Sequence, residues 1–254
     1  EVAHKPATLD HLHAAAVPLT ALTAWQALVE AAQLQAGQTV LIHAAAGGVG
    51  QAAVQIAQAI GAEIIATASP SKWAVLCAQG VTQVLNSRTL TFADEILQRT
   101  GGRGVDVVLN SLNGDFIERS FAALGQGGRF VEIGKLGIWS QAQVTAQRPD
   151  VTYFPFDLGE ALATEPPLLA TLWQAISAAL TSGALRPLPQ TTFPAHDIVA
   201  AFRYMQQAKQ VGKIVVDFAQ PAPLVIQPAA VYLITGGLGA LGLHIAQQLV
   251  ADGA

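Results

Sequence analysis

With 254 residues, 52% of them hydrophobic and only 12% charged, the chain has ample apolar surface for a sizeable core and is unlike a disordered segment. A formal net charge of -4 excludes nucleic acid as a bulk electrostatic partner. The single cysteine, Cys77, excludes an intrachain disulfide and fits a cytoplasmic setting, and no apolar run reaches the ~18 residues of a membrane span.

The opening EVAHKPATLD lacks a basic start and an apolar stretch, so no signal peptide is expected, and both ends read as cuts from a longer polypeptide. From Leu9, LDHLHAAAVPLTALTAWQALVEAAQL is helical with a break at Pro18. Between Gln38 and Gly134, strands are expected at 39–44, 63–68, 82–87, 105–110 and 128–134. Helical patterns at about 48–60, 71–79, 91–100 and 113–123 separate them. Near-continuous apolar strands alternating with helices predict an α/β fold, a doubly wound parallel sheet of the Rossmann type. A strand at 151–156, a helix at 165–182, a strand at 190–194, a helix at 196–208 and a strand at 213–218 follow. AQPAPLVIQPAA (219–230) reads as an extended linker, and VYLITGGLGALGLHIAQQLVADGA starts a second strand–turn–helix unit.

The first glycine turn, Ala45-Ala46-Gly47-Gly48-Val49-Gly50, follows a strand and opens an amphipathic helix, the context a dinucleotide site requires. Missing Cβ atoms let backbone approach a pyrophosphate, and the helix start supplies N–H donors. A tight turn without ligand has the same pattern. The cofactor is read from the end of the second strand. An acid about 20 residues past the glycines would mark NAD. Ser69, Ser71 and Lys72 stand there instead, with Arg88 after the third strand. Hydroxyls and cations suit a 2′-phosphate, so NADPH is expected. Lys72 also reads as an ordinary solvated lysine.

PLTALTAWQAL (18–28), AAAGGVGQAAVQIA (44–57), VLNSLNG (108–114), FVEIGK (130–135) and FRYMQQAKQVGKIVV (202–216) resemble medium-chain dehydrogenases/reductases. Within that superfamily they are most similar to enoyl reductase domains of polyketide and fatty acid synthases. The resemblance implies a GroES-like substrate domain truncated within 1–37, an NADPH-binding Rossmann domain at 38–185 and a return to the substrate domain at 186–218. It leaves a linker at 219–229. It implies hydride transfer from NADPH to the β-carbon of an enoyl thioester on an acyl carrier protein, with protonation at the α-carbon.

By the same resemblance Lys135 is the catalytic lysine and Asp157 its partner. Alternatively Lys135 is a surface lysine and Asp157 a helix cap. The backbone of Asn110, Ser111 and Leu112 is expected along the nicotinamide, with Thr23 and Gly134 beside it. Gly212-Lys213 is expected over the cofactor. Relatives often carry Asp two residues after the lysine, where this chain has Gly137. A tyrosine donor common in such reductases would lie in the missing first domain. The rivals are a free-standing quinone or alkenal reductase, a non-catalytic NADPH-binding domain, and altered chemistry on a related thioester.

His4, His11, His13, His43, His196 and His244 have no cysteine or carboxylate at metal-ligand spacing, so no metal is expected. The four tryptophans are scattered and read as packing residues. The second turn, Gly237-x-Gly239-x-x-Gly242, resembles the start of a ketoreductase, so 230–254 is read as the first strand and helix of a neighbouring domain of the same polypeptide. A homodimer is compatible with all of this.

Overall fold

The computed structural model describes residues 3–219, 230–234, 238–251 and 253. Helices α1 (His11–Ala16) and α2 (Pro18–Trp25) open it, the second running into a wider-wound turn at Gln26–Ala31. Pro18 begins α2, where a missing N–H costs nothing, so the expected break is a helix start.

Six parallel strands follow: β1 (Thr39–Ile42), β2 (Glu63–Ala68), β3 (Gln83–Asn86), β4 (Val105–Asn110), β5 (Leu124–Glu132) and β6 (Thr152–Pro155). Their order in the sheet is β3-β2-β1-β4-β5-β6. Helices α3 (Gly48–Ile60), α4 (Trp73–Ala78), α5 (Phe92–Arg99), α6 (Asp115–Ala123) and α7 (Gln141–Gln147) make the crossovers. Alternate strand residues serve opposite faces. Val40, Ile42, Val107 and Leu109 share a core with Leu22 of α2 and Val54 of α3. Leu41, Ile65, Val108 and Phe130 pack with Phe92 and Ile96 of α5 and Phe121 of α6. A sheet covered on both faces explains why its central strands are apolar throughout. The strand order turns round between β1 and β4, which places a crevice beyond their C-terminal ends.

Helices α8 (Leu158–Thr164) and α9 (Leu168–Ser182) come next. The single helix expected at 165–182 starts later, and a separate helix precedes it. Pro166 and Pro167 lie between the two, and proline disfavours helical backbone in the residue before it. Strands β7 (Gln190–Pro194) and β8 (Lys213–Asp217) pair in parallel as a separate two-stranded sheet, with α10 (Ile198–Gln206) between them in sequence. Just before β8, Gly212 donates its N–H to Ala46 O at 2.8 Å, so this sheet is fastened to the glycine turn. Gly212 has φ +69°, and a Cβ there would lie 1.9 Å from Pro189 O, so only glycine fits.

Three further differences have local causes. Strand β5 begins at Leu124, ahead of the expected 128, through a glycine-rich stretch that reads as a turn. Helix α7 is polar and escaped the apolar pattern; a reciprocal Ser140–Gln143 capping box starts it. The strand expected after Ala230 does not form over 230–234, which belong to neither sheet. Helix α11 (Ala240–Ala251) does form. Most of the linker, Gly237 of the second turn and Ala254 lie outside the described residues.

Candidate active site

The glycine turn lies between β1 and α3. Gly47 is the N-cap of α3 and no side chain caps it, so N–H groups of the first turn lack protein acceptors. That is a ready-made anion site. The glycines themselves mainly serve packing. A Cβ on Gly50 would lie 2.5 Å from Ala44 O and Ala45 Cα, within the turn. One on Gly48 would lie 2.7 Å from Lys213 Cδ and 2.8 Å from Thr20 Cγ2. Lys213 therefore lies over the turn, and its methylenes fill the space at Gly48. Ala46 holds Gly212, and Val49 is half-buried.

Beyond β2 the Ser69 and Ser71 hydroxyls stand 3.4 Å apart. Lys72 is half-buried, and its Nζ donates to Gln210 O at 2.7 Å. Burial lowers its proton affinity, and the nearby Arg88 charge adds to the effect. Lys72 and Arg88 thus place two cations near each other, and no carboxylate stands at the end of β2. Arg88, Ser111 and Leu112 line one open depression with Ser87, Asn113 and Phe116.

Asn110 ends β4. Its Nδ2 donates to Leu112 O at 2.9 Å and to Glu132 Oε2 at 2.6 Å. Its Oδ1 accepts from Leu112 N–H at 3.2 Å. Glu132 Oε1 accepts from Gly134 N–H at 2.6 Å. Glu132 is fully buried. Burial raises its proton affinity, against the lowering by the Asn110 and Gly134 hydrogen bonds and by the Lys135 charge. Sequence reasoning passed over Glu132 as one residue of a strand. The available signal was a carboxylate inside the apolar run FVEIG.

Lys135, three residues past the end of β5, forms an ion pair with Asp157 at 2.5 Å and donates to Phe156 O at 3.3 Å. Asp157 also caps α8, accepting from Glu160 N–H at 3.1 Å. The two readings of Asp157 are therefore compatible, because each carboxylate oxygen has its own task. The Lys135 hydrogen bond, then that of Glu160, holds its carboxyl below the usual range, so it is ionised at neutral pH. Gly137 has φ +62° with open space around its missing Cβ. Thr23 is the candidate that the structure does not join to the others: its hydroxyl donates to Leu19 O within its own helix, at 2.7 Å.

His43 is buried just past β1. Its Nδ1 meets Thr67 Oγ1 at 2.9 Å and its Nε2 meets Ser120 Oγ at 2.8 Å. Ser120 gives its own proton to Phe116 O, so Nε2 carries the imidazole hydrogen and Nδ1 accepts from Thr67. Burial pushes the imidazole pKa down to about 3, so His43 is a neutral cross-brace between β1, β2 and α6.

The zinc-binding dehydrogenase family model matches residues 79–216. The spectinabilin polyketide synthase system protein NorB of Streptomyces orinoci is 44% identical over 99% of this chain, which spans 11% of that protein. The solved CurK enoyl reductase is 58% identical, with TM-score 0.82, over 85% of this chain and 65% of that one. The nucleotide-binding subdomain of the enoylreductase domain of PpsC from Mycobacterium tuberculosis is 42% identical, with TM-score 0.61, over 67% of this chain and 97% of that one. The family's name refers to zinc, but no group of three or more His, Cys, Asp or Glu side chains that could hold a metal ion gathers among the described residues. Nor is any helix there long and apolar enough to cross a membrane. The chain belongs to the enoyl reductase domains of modular type I polyketide synthases, within the zinc-binding dehydrogenase family.

Proposed function

We propose that this chain is the NADPH-binding part of an enoyl reductase that saturates the α,β-double bond of an acyl thioester carried on an acyl carrier protein. Residues 38–185 hold the cofactor, 186–218 return to the substrate side, and 230–254 begin a neighbouring ketoreductase unit. The uncapped start of α3 suits the pyrophosphate, and Ser69, Ser71, Lys72 and Arg88 suit a 2′-phosphate. The bound cofactor would supply the hydride for the β-carbon.

The observation that carries the reading is the Lys135–Asp157 pair at the C-terminal edge of the sheet. As hydride reaches the β-carbon, negative charge develops on the thioester oxygen. The Lys135 ammonium opposes that charge and holds a proton for the α-carbon. Asp157, kept ionised by Lys135 and the Glu160 N–H, pairs with the Lys135 ammonium and aims it.

In the intact synthase, Lys135→Ala should lower kcat by about 10- to 1000-fold and leave NADPH affinity nearly unchanged. Single-turnover reduction of a crotonyl-type thioester, beside NADPH titration, measures both. Full activity in a Lys135→Ala, Asp157→Asn double variant would show that another group supplies the proton.

A further inference from the structure

The mechanism above gives Glu132 no task, yet its placement is costly. A carboxylate buried in an apolar strand is tolerated only when each oxygen is paired. Both are: Oε2 takes the Asn110 amide and Oε1 takes the Gly134 N–H. Asn110 has one orientation that satisfies its neighbours. Its oxygen faces the Leu112 N–H, and its nitrogen faces two acceptors. Asn110 and Glu132 are also register partners on adjacent strands. One carboxylate thus ties the loop after β4, which bears Leu112, to the loop after β5, which bears Lys135. Gly134 makes room for it, since a Cβ there would lie 2.7 Å from Oε1.

We propose that Glu132 is a positioning residue for hydride transfer, its carboxylate setting the Leu112 backbone and Lys135 in fixed places on either side of the nicotinamide end of the cofactor site. This rests on the enoyl reductase reading, in which Leu112 lines the nicotinamide and Lys135 is the acid. A role in folding alone would be met as well or better by an apolar residue of similar size, which would carry no buried charge. The carboxylate is needed where two loops must be held by their polar groups.

Glu132→Gln keeps the shape and removes one acceptor. The amide can accept from Asn110 or from Gly134, and the other contact becomes donor against donor. The measurement compares two ligands of the intact synthase: NADPH, and 2′-phospho-ADP-ribose, which lacks only the nicotinamide ring. Glu132→Gln should raise the Kd of NADPH about 5- to 20-fold, leave that of the fragment unchanged, and lower kcat about 10- to 100-fold. Equal losses for both ligands, or none, overturn the proposal. An Asn110→Asp, Glu132→Gln double variant reverses the polarity of the bond. It restores the run from Gly134 through residue 132 to residue 110, while Leu112 O loses its donor. It should regain part of the NADPH affinity, and no gain over Glu132→Gln counts against the proposal. Gly134→Ala attacks the same bond from the donor side and should reproduce the selective loss; a loss shared by both ligands again overturns it. If Lys135 is not the acid, Lys135→Ala retains turnover while the difference between the two ligands persists, so the two failures are distinguishable.

Discussion

Residues 39–60 and 231–251 share a local pattern of apolar run, glycine turn and apolar helix, and they end in different states. In the first, all four residues of β1 are buried between β2 and β4, and α3 buries seven residues. In the second, 230–234 form no strand, Val231 is 99% exposed, and α11 buries only Gly242 among its described residues. Helix formation is local, so α11 forms although it buries only Gly242. A strand needs hydrogen-bond partners in other segments, and 230–234 join neither sheet. The first glycine turn is held by flanking strands, and Lys72 stands beyond the end of the next one.

The sharpest way to break this contrast is to load both turns with side chains. Gly50→Val puts its Cβ against backbone atoms 2.5 Å away, which cannot yield as a flexible side chain would. About 3 kcal/mol of stability should be lost, together with NADPH binding. Gly239→Ala, at an exposed position, should change stability by less than about 0.5 kcal/mol. Urea midpoints of the two variants settle it; similar losses would mean that the second turn is as tightly packed as the first.

A smaller effect separates the turns by charge. Lys72→Glu should weaken NADPH binding by roughly 1–3 kcal/mol, through a lost charge-assisted contact and added repulsion. NADH binding should change much less. The substitution also breaks the Lys72–Gln210 bond, so some of the loss is shared by both cofactors. Equal losses in parallel titrations would remove the 2′-phosphate from the argument.

The folded core was largely legible because its causes are local or periodic. Strands 63–68 and 105–110 fall where the β-branched runs place them. The Lys135–Asp157 pair agrees with the family motif, although 22 residues separate the two. What escaped depends on distant partners. Glu132 is intelligible only once Asn110 and Gly134 are beside it. Lys72 depends on a carbonyl 138 residues away, and His43 on Thr67 and Ser120. The expected strand after Ala230 had the right residues, yet 230–234 join neither sheet.

His43 gives the first unit a pH dependence. Its folded pKa, near 3, lies below the unfolded value of 6.5, so the unfolded chain binds the extra proton between these values. The contribution is full above pH 6.5 and is lost as pH falls towards 3, at roughly 1.4 kcal/mol per pH unit. Glu132 acts in the opposite sense just above its ordinary range, because its folded proton affinity is raised. The difference between the wild-type chain and His43→Gln isolates the imidazole. Urea midpoints between pH 7 and 5 should fall more steeply for the wild type; parallel slopes would show that His43 charges without cost.

The smallest expected effect concerns the second unit. Ending the chain at Ala219 removes Leu238 and α11 with its Leu241 and Val250, all three largely in water. Leu241 and Val250 are 73% and 69% exposed, so little apolar surface returns to water when they go. The stability of the first unit should change by no more than about 0.5 kcal/mol, which for a chain of this size is a melting shift of about 2 °C or less. The truncated chain should also associate less, because a run of exposed leucines and valines has left the surface. Light scattering and a melting curve on both lengths test this. A fall of about 5 °C or more would mean that 230–253 stabilises the sheet, and that the second unit is held in place by the first.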